Sequence, residues 1–257
     1  MKKIVFISGL HRSGTSILHR VLSSSNDISG FNNTGAPEDE GQHLQSVFKA
    51  AKYFGGPGKF ALNENAKLNE NSNLITPENR EKLLTEWGNY WNKQKPIWVE
   101  KSPPNLIRTR FLQELFPEAF FITIIRHPIA VSLATQKWSK TSLDSLINHW
   151  ITAHRIYQED KPKIQNEFFF SYEYMVQAPR NLVNELEYFL DAEIPYNEEF
   201  TNSNDKYFKK WNEIRMRQWS IMAQKNKSIY NYESSVNDFG YSLMNLEYYP
   251  ITTQNKK

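Results

Sequence analysis

The chain has 257 residues, 39% hydrophobic and 23% charged, a globular mixture long enough to bury a sizeable core. Its 31 Lys and Arg against 28 Asp and Glu leave a net charge of only +3, which gives no sign of a broad nucleic-acid-binding face and leaves room only for local basic sites. No cysteine is present, so disulfides, thiolate catalysis and cysteine-ligated metals are excluded together. No apolar run reaches the roughly 18 residues of a membrane span, and no charged-then-apolar leader precedes the first strand. These features predict a cytoplasmic protein, folded as a single α/β domain over residues 1–257.

The apolar run Ile4 to Ile7 is short and rich in β-branched residues, as a buried strand requires. It stops at Gly9, and Ile17, Leu18, Val21 and Leu22 then fall on one face of a helix. Strand, glycine-bearing loop and helix aim backbone N–H groups and a helix dipole at a phosphate. Gly9 and Gly14 occupy the glycine positions of G-x-x-x-x-G-K-[ST], but Thr15 replaces the lysine and Ser16 follows it. The group that would reach the outer phosphates of a nucleoside triphosphate is thus missing, and Arg12 inside the loop offers a positive charge instead. After a polar break at 23–27, Ile28 to Phe31 reads as a short second strand. Glu38, Asp39 and Glu40 then precede a helical pattern at Leu44, Val47 and Phe48. Acids there suit a helix N-terminus, or one of them serves as a general base, with Glu38, Glu40 and His43 the candidates. The glycine- and asparagine-rich stretch 55–77 is a long irregular insertion, either a surface loop or a lid over a binding site.

A helix is predicted from Glu78 to Trp91, followed by the strand Ile97-Trp98-Val99 and the sequence Glu100-Lys101-Ser102-Pro103-Pro104. The two prolines end the strand and open a helix bearing Ile107, Phe111 and Leu115. A charged pair at the carboxyl end of a parallel strand lies where open α/β sheets bind ligands. Phe120 to Ile125 lacks polar alternation and predicts a central strand buried on both faces. It ends in Arg126-His127-Pro128, and helices follow at 129–138 and 143–157. A strand at 168–173, a helix at 179–190 and a basic, aromatic tail from Asp205 to Lys227 complete the chain. The tail carries Lys206, Lys209, Lys210, Trp211, Arg215, Arg217 and Lys225. Strands interleaved with helices in this way predict a three-layer α/β fold around a mainly parallel central sheet, with the P-loop-like unit at its start.

The loop His11-Arg12-Ser13-Gly14-Thr15-Ser16 resembles the 5′-phosphosulfate loop of sulfotransferases that use 3′-phosphoadenosine 5′-phosphosulfate (PAPS). Glu100-Lys101-Ser102-Pro103 resembles the Glu-Lys-[Ser/Thr]-Pro segment of carbohydrate sulfotransferases, Arg126-His127-Pro128 the family's Arg-x-Pro, and Ser171-Tyr172-Glu173 its Tyr-Glu segment. Phe239-Gly240-Tyr241 echoes a pattern near the family's C-terminus, so the motifs run in family order along nearly the whole chain. The resemblance implies sulfuryl transfer from PAPS, leaving 3′-phosphoadenosine 5′-phosphate (PAP), to a hydroxyl or amine on a small molecule or saccharide, without a metal. It implies that Arg12, Ser13, Gly14, Thr15 and Ser16 hold the 5′-phosphate and that Lys101 supports the leaving-group oxygen. Glu38 or Glu40 would take the acceptor proton, and Arg126 would bind the 3′-phosphate. The serine that family members place eight residues after this arginine is Ala134 here; Ser132 and Thr135 are the nearest hydroxyls. Some of the late basic residues would close over the 3′-phosphate, and Glu173 reads as architectural. A P-loop kinase is the first alternative, and the missing lysine at 15 argues against it. A non-catalytic nucleotide-binding protein on the same fold is the second.

Overall fold

The five segments read as strands join one six-stranded sheet in the computed structural model, which describes residues 2–196, 200–216, 227–249 and 251–253. These are β1 (Lys3–Ser8), β2 (Ile28–Ser29), β3 (Ile97–Lys101), β4 (Phe120–Ile125), β5 (Glu167–Ser171) and β6 (Thr252–Thr253), in the order β2-β3-β1-β4-β5-β6. The first five are parallel, and β6 adds an antiparallel edge to β5. β1 is central, in register with β3 from Lys3 opposite Ile97 to Ile7 opposite Lys101, and with β4 from Val5 opposite Phe120 to Ser8 opposite Thr123.

Helices on both faces explain why the central strands show no polar alternation. Val5 and Ile7 pack with α1 (Thr15–Ser23), α6 (Tyr172–Gln177) and α7 (Pro179–Leu190), through Leu18, Leu22, Met175 and Leu186. Phe6 and Phe121 point the other way, into Leu83 and Trp87 of α2 (Pro77–Gly88) and Phe111 of α3 (Thr109–Leu115). On that same side α4 (Pro128–Ser139) and α5 (Leu143–Asp160) cover Ile125 and Phe169. The three layers and the mainly parallel sheet expected from the sequence are both present. Near the C-terminus, α8 (Asn204–Met216) packs on α4, and α9 (Glu233–Asn237) follows it. Among the described residues no helix is long and apolar enough to cross a membrane.

Local departures from the sequence reading have identifiable causes. Residues 44–48 form no helix, because the Gln45 side chain intercepts the backbone: its Oε1 accepts from the N–H groups of Val47 (2.7 Å) and Phe48 (2.9 Å). β5 ends at Ser171, whose hydroxyl caps α6 by accepting from Tyr174 N, so Tyr172 and Glu173 open a helix rather than extend a strand. The insertion at 55–77 is a series of 3₁₀ turns with Phe60 and Ala66 fully buried. The buried Arg108 guanidinium fastens it, donating to the carbonyls of Ala66 (2.9 Å) and Lys49 (3.0 Å).

The chain leaves β1 for β2 and β3 on one side and for β4 and β5 on the other. A crevice therefore opens at the carboxyl end of β1, where the loop 9–14, Lys101 and Arg126 all emerge.

Candidate active site

The loop between β1 and α1 has two positions that only glycine fills. Gly9 has φ +148°, and a Cβ there would lie 2.6 Å from the Ile124 carbonyl oxygen. Gly14 has φ +105°, and a Cβ would press on Tyr172 (3.0 Å) and Met175 (3.1 Å). The tight loop brings the start of α1, with its unpaired N–H groups, to the edge of a cleft of about 220 Å³. Its lining includes Arg12, Gly14, Thr15, Ser16, Arg126 and Tyr172. Ser13 is fully buried with its hydroxyl unpartnered, and the exposed Arg12 lays its guanidinium 4.6 Å over the Trp138 ring.

Arg126 is the most constrained cation of the cleft. It is 6% exposed, and its guanidinium lies 3.9 Å over the Tyr172 ring. Nε donates to Asn204 Oδ1 and Nη1 to the Arg12 carbonyl, both at 2.8 Å, whereas Nη2 is buried without a partner. Asn204 is itself oriented by donating to Glu173 Oε1 (2.7 Å), which also accepts from His127 N, while Tyr241 donates to Oε2 (2.9 Å). Trp150 donates to the Arg126 carbonyl at 2.9 Å. Burial pulls the Arg126 pKa downward, and the nearby tyrosines and Glu173 oppose that shift. A cation desolvated to this degree with one donor unsatisfied is poised for an anionic ligand.

On the other side of the loop, Lys101 is 1% exposed. Its ammonium donates to the Glu38 carbonyl (2.7 Å) and lies 3.4 Å from Glu40 Oε1. Gln42 donates to the second oxygen of Glu40, and His43 Nε2 sits 3.9 Å from it. Glu40 is buried, and desolvation raises its pKa despite the attraction of Lys101. Burial, Lys52 and Lys101 lower the His43 pKa, which disfavours its charged form. The Glu38 carboxylate is exposed and meets Ser16 Oγ at 3.4 Å.

Beneath this group Glu100 accepts from Ser102 Oγ and Asn105 Nδ2, and burial pushes its carboxyl up to about 7. Ser102 Oγ in turn accepts from Gln42 N at 2.9 Å. A Cβ at Gly41 would strike Glu100 Oε1 at 2.4 Å. The Glu100-Ser102 pair thus clamps the segment that presents Glu40.

The family model described as Sulfotransferase family matches residues 5–198. The chain belongs to the sulfotransferase family. Among solved structures, a sulfotransferase of Mycobacterium tuberculosis H37Rv aligns over 84% of this chain and 76% of its own, with TM-score 0.54 and 13% identity. The sulfotransferase domain of the olefin synthase of Synechococcus PCC 7002 aligns over 94% and 95%, with TM-score 0.52 and 16% identity. At such identities these neighbours establish the shared fold. No curated protein sequence matches this chain significantly.

Within this sulfotransferase the expected site residues divide into two groups across the loop. Arg12, Gly14, Thr15, Ser16 and Arg126 line one cleft, and Lys101, Glu38, Glu40 and His43 cluster beside it. Ser132 is elsewhere: with Thr135 it lines a small cavity against His11, Gly58 and His149 that shares no lining residue with the cleft. Ala134, where the sequence resemblance leads us to expect serine, faces the cleft instead. Asn204 orients Arg126, and its signal in the sequence was only its nearness to the basic tail. Of that tail, Lys206 lines the cleft, whereas Arg215 is tied to the Met244 carbonyl and Lys209 and Lys210 are exposed. Arg217 and Lys225 lie outside the described residues. Gln42 received no role in the sequence reading and Ser102 entered it only as part of the Glu-Lys-Ser-Pro motif, since neither type signals a role without its neighbours.

Proposed function

We propose that this sulfotransferase moves a sulfuryl group from PAPS to an acceptor hydroxyl or amine, with saccharides the first acceptor class to test. The observation that carries the donor assignment is the buried, unsatisfied Nη2 of Arg126, in the cleft reached by the N-terminus of α1. A helix N-terminus suits one phosphate and a separate buried arginine a second, as a doubly phosphorylated nucleotide demands. Bound PAPS supplies an activated sulfuryl group on its 5′-phosphate. The loop N–H groups, with Arg12, Ser13, Thr15 and Ser16, hold that phosphate, and Arg126 with Lys206 binds the 3′-phosphate.

Lys101 then offsets negative charge growing on the leaving-group oxygen from a fixed, desolvated position. Glu40 takes the acceptor proton, because burial has raised its proton affinity and Gln42 fixes its orientation. Glu38 contributes its carbonyl, which holds the Lys101 ammonium. Its exposed carboxylate is the less suitable base.

The test of the donor assignment is Arg126→Ala, titrated with PAP and with adenosine 5′-monophosphate. A hydrogen bond to a charged group contributes about 1.5–3 kcal/mol. PAP affinity is therefore expected to fall roughly tenfold to 150-fold, with adenosine 5′-monophosphate unchanged. Equal losses for both nucleotides in folded protein would assign Arg126 to the fold or to the 5′ end.

A further inference from the structure

Tyr241, which ends the motif Phe239-Gly240-Tyr241, belongs to neither group of site residues. It is 2% exposed and does not line the donor cleft. Its ring lies edge-on to His127 (5.3 Å) and Trp150 (5.9 Å), and Asn237 Nδ2 donates to its carbonyl at 2.8 Å. Burial and the neighbouring Glu173 push the pKa of its hydroxyl upward, so the oxygen keeps its hydrogen and donates it to Glu173 Oε2 at 2.9 Å.

From that hydroxyl an unbroken series of hydrogen bonds leads to Arg126. Glu173 Oε1 accepts from Asn204 Nδ2 (2.7 Å) and from His127 N (3.0 Å), and Asn204 Oδ1 accepts from Arg126 Nε (2.8 Å). The order of donors is forced. A guanidinium only donates and an ionised carboxylate only accepts, so both neighbours select the same orientation of the Asn204 amide. The flipped amide would set its NH₂ against the Arg126 Nε–H. With Nε held by Asn204 and Nη1 by the Arg12 carbonyl, the planar guanidinium is fixed and only Nη2 lacks a partner. Its direction therefore depends on Asn204, and Asn204 depends on a carboxylate whose far oxygen is held by Tyr241. Without the hydroxyl that oxygen is buried and unpaired, a cost that turning the carboxylate relieves at the expense of Asn204.

We propose that Tyr241 is a positioning residue for the 3′-phosphate: through Glu173 and Asn204 it sets the direction in which Arg126 presents Nη2. The proposal rests on the donor reading above, and it makes nucleotide selectivity depend on a residue outside the cleft.

Tyr241→Phe removes the hydroxyl and keeps the ring with its contacts to His127 and Trp150. PAP affinity is expected to fall about threefold to tenfold, the scale of one ordinary hydrogen bond, with adenosine 5′-monophosphate unchanged. Asn204→Ala, one link nearer to Arg126, should cost PAP at least as much and tests the same route if Tyr241→Phe does not fold. In the Arg126→Ala background neither substitution should weaken PAP further, because residues of one network do not act additively. A merely structural tyrosine would weaken both nucleotides, whatever stands at 126. The ¹⁵N–¹H signal of Arg126 Nε, identified by its loss in Arg126→Ala, reads the network without nucleotide and should move in Tyr241→Phe. Wild-type protein that binds PAP and adenosine 5′-monophosphate equally would overturn the donor reading and this proposal with it. A wild-type preference for PAP that survives Tyr241→Phe and Asn204→Ala, with the Nε signal unmoved, would overturn this proposal alone, and so would equal losses for the two nucleotides.

Discussion

Glu40→Gln is expected to lower kcat by about 10²- to 10⁴-fold, the usual contribution of a positioned general base, whereas Glu38→Gln retains most of the activity. The two glutamates are two residues apart and indistinguishable by type, yet the fold treats them differently. Glu38 adopts a left-handed backbone (φ 54°), turning its carbonyl to Lys101 while its carboxylate stays exposed. Glu40 resumes an extended backbone and buries its carboxylate between Lys101, Gln42 and His43. Glutamine keeps the shape and removes only the proton-accepting function, so PAP affinity should stay within about twofold, well under the tenfold that 1.4 kcal/mol produces. Steady-state rates with labelled PAPS and an acceptor provide the measurement. Loss on Glu38→Gln with normal turnover in Glu40→Gln would reverse the assignment.

Lys101→Ala is expected to lower kcat by roughly 10²-fold or more, the scale of losing one preorganised transition-state donor, with PAP binding nearly unchanged. It should also destabilise the protein. Glu40 would be left buried without its cation, and breaking such a pair by removing one partner costs about 3–5 kcal/mol when the remaining charge stays ionised. The raised proton affinity of Glu40 lets it neutralise and reduces that cost. Adding Glu40→Gln to Lys101→Ala removes the orphaned charge. The double variant should recover thermal stability relative to Lys101→Ala while its turnover stays low. Recovery of turnover with stability would mean that Lys101 acts by holding the segment 38–42 rather than by stabilising charge in the reaction.

The fold was legible because its signals are local. β1 and β4 are mostly apolar runs without polar alternation, buried on both faces, and the helices carry their stripes at regular spacing. The 44–48 segment misled for the same reason: Leu44, Val47 and Phe48 have helical spacing, but one glutamine side chain captures the N–H groups that a helix needs. In the site, Lys101 and Arg126 stood out because each stands at the carboxyl end of a strand. Asn204 did not, since its contact with Arg126 crosses 78 residues and nothing in the intervening sequence encodes it. The exchange of the expected serine for Ala134 is legible in the sequence, but the support of Arg126 by a residue of α8 requires the packing of α8 on α4. Choosing Glu40 over Glu38 likewise depends on a backbone turn that neither residue type dictates.

The most direct measurement is calorimetric titration of the wild-type chain with PAP in the presence of chelator, beside adenosine 5′-monophosphate and ATP with magnesium. With Thr15 in place of the phosphate-reaching lysine and Arg126 proposed to hold a second phosphate, PAP should bind without metal and at least tenfold more tightly than adenosine 5′-monophosphate, the lower bound for one charged hydrogen bond. ATP should bind weakly with or without magnesium. Tight, magnesium-dependent binding of ATP, with PAP no better than adenosine 5′-monophosphate, would contradict a PAPS-dependent sulfotransferase and favour a kinase.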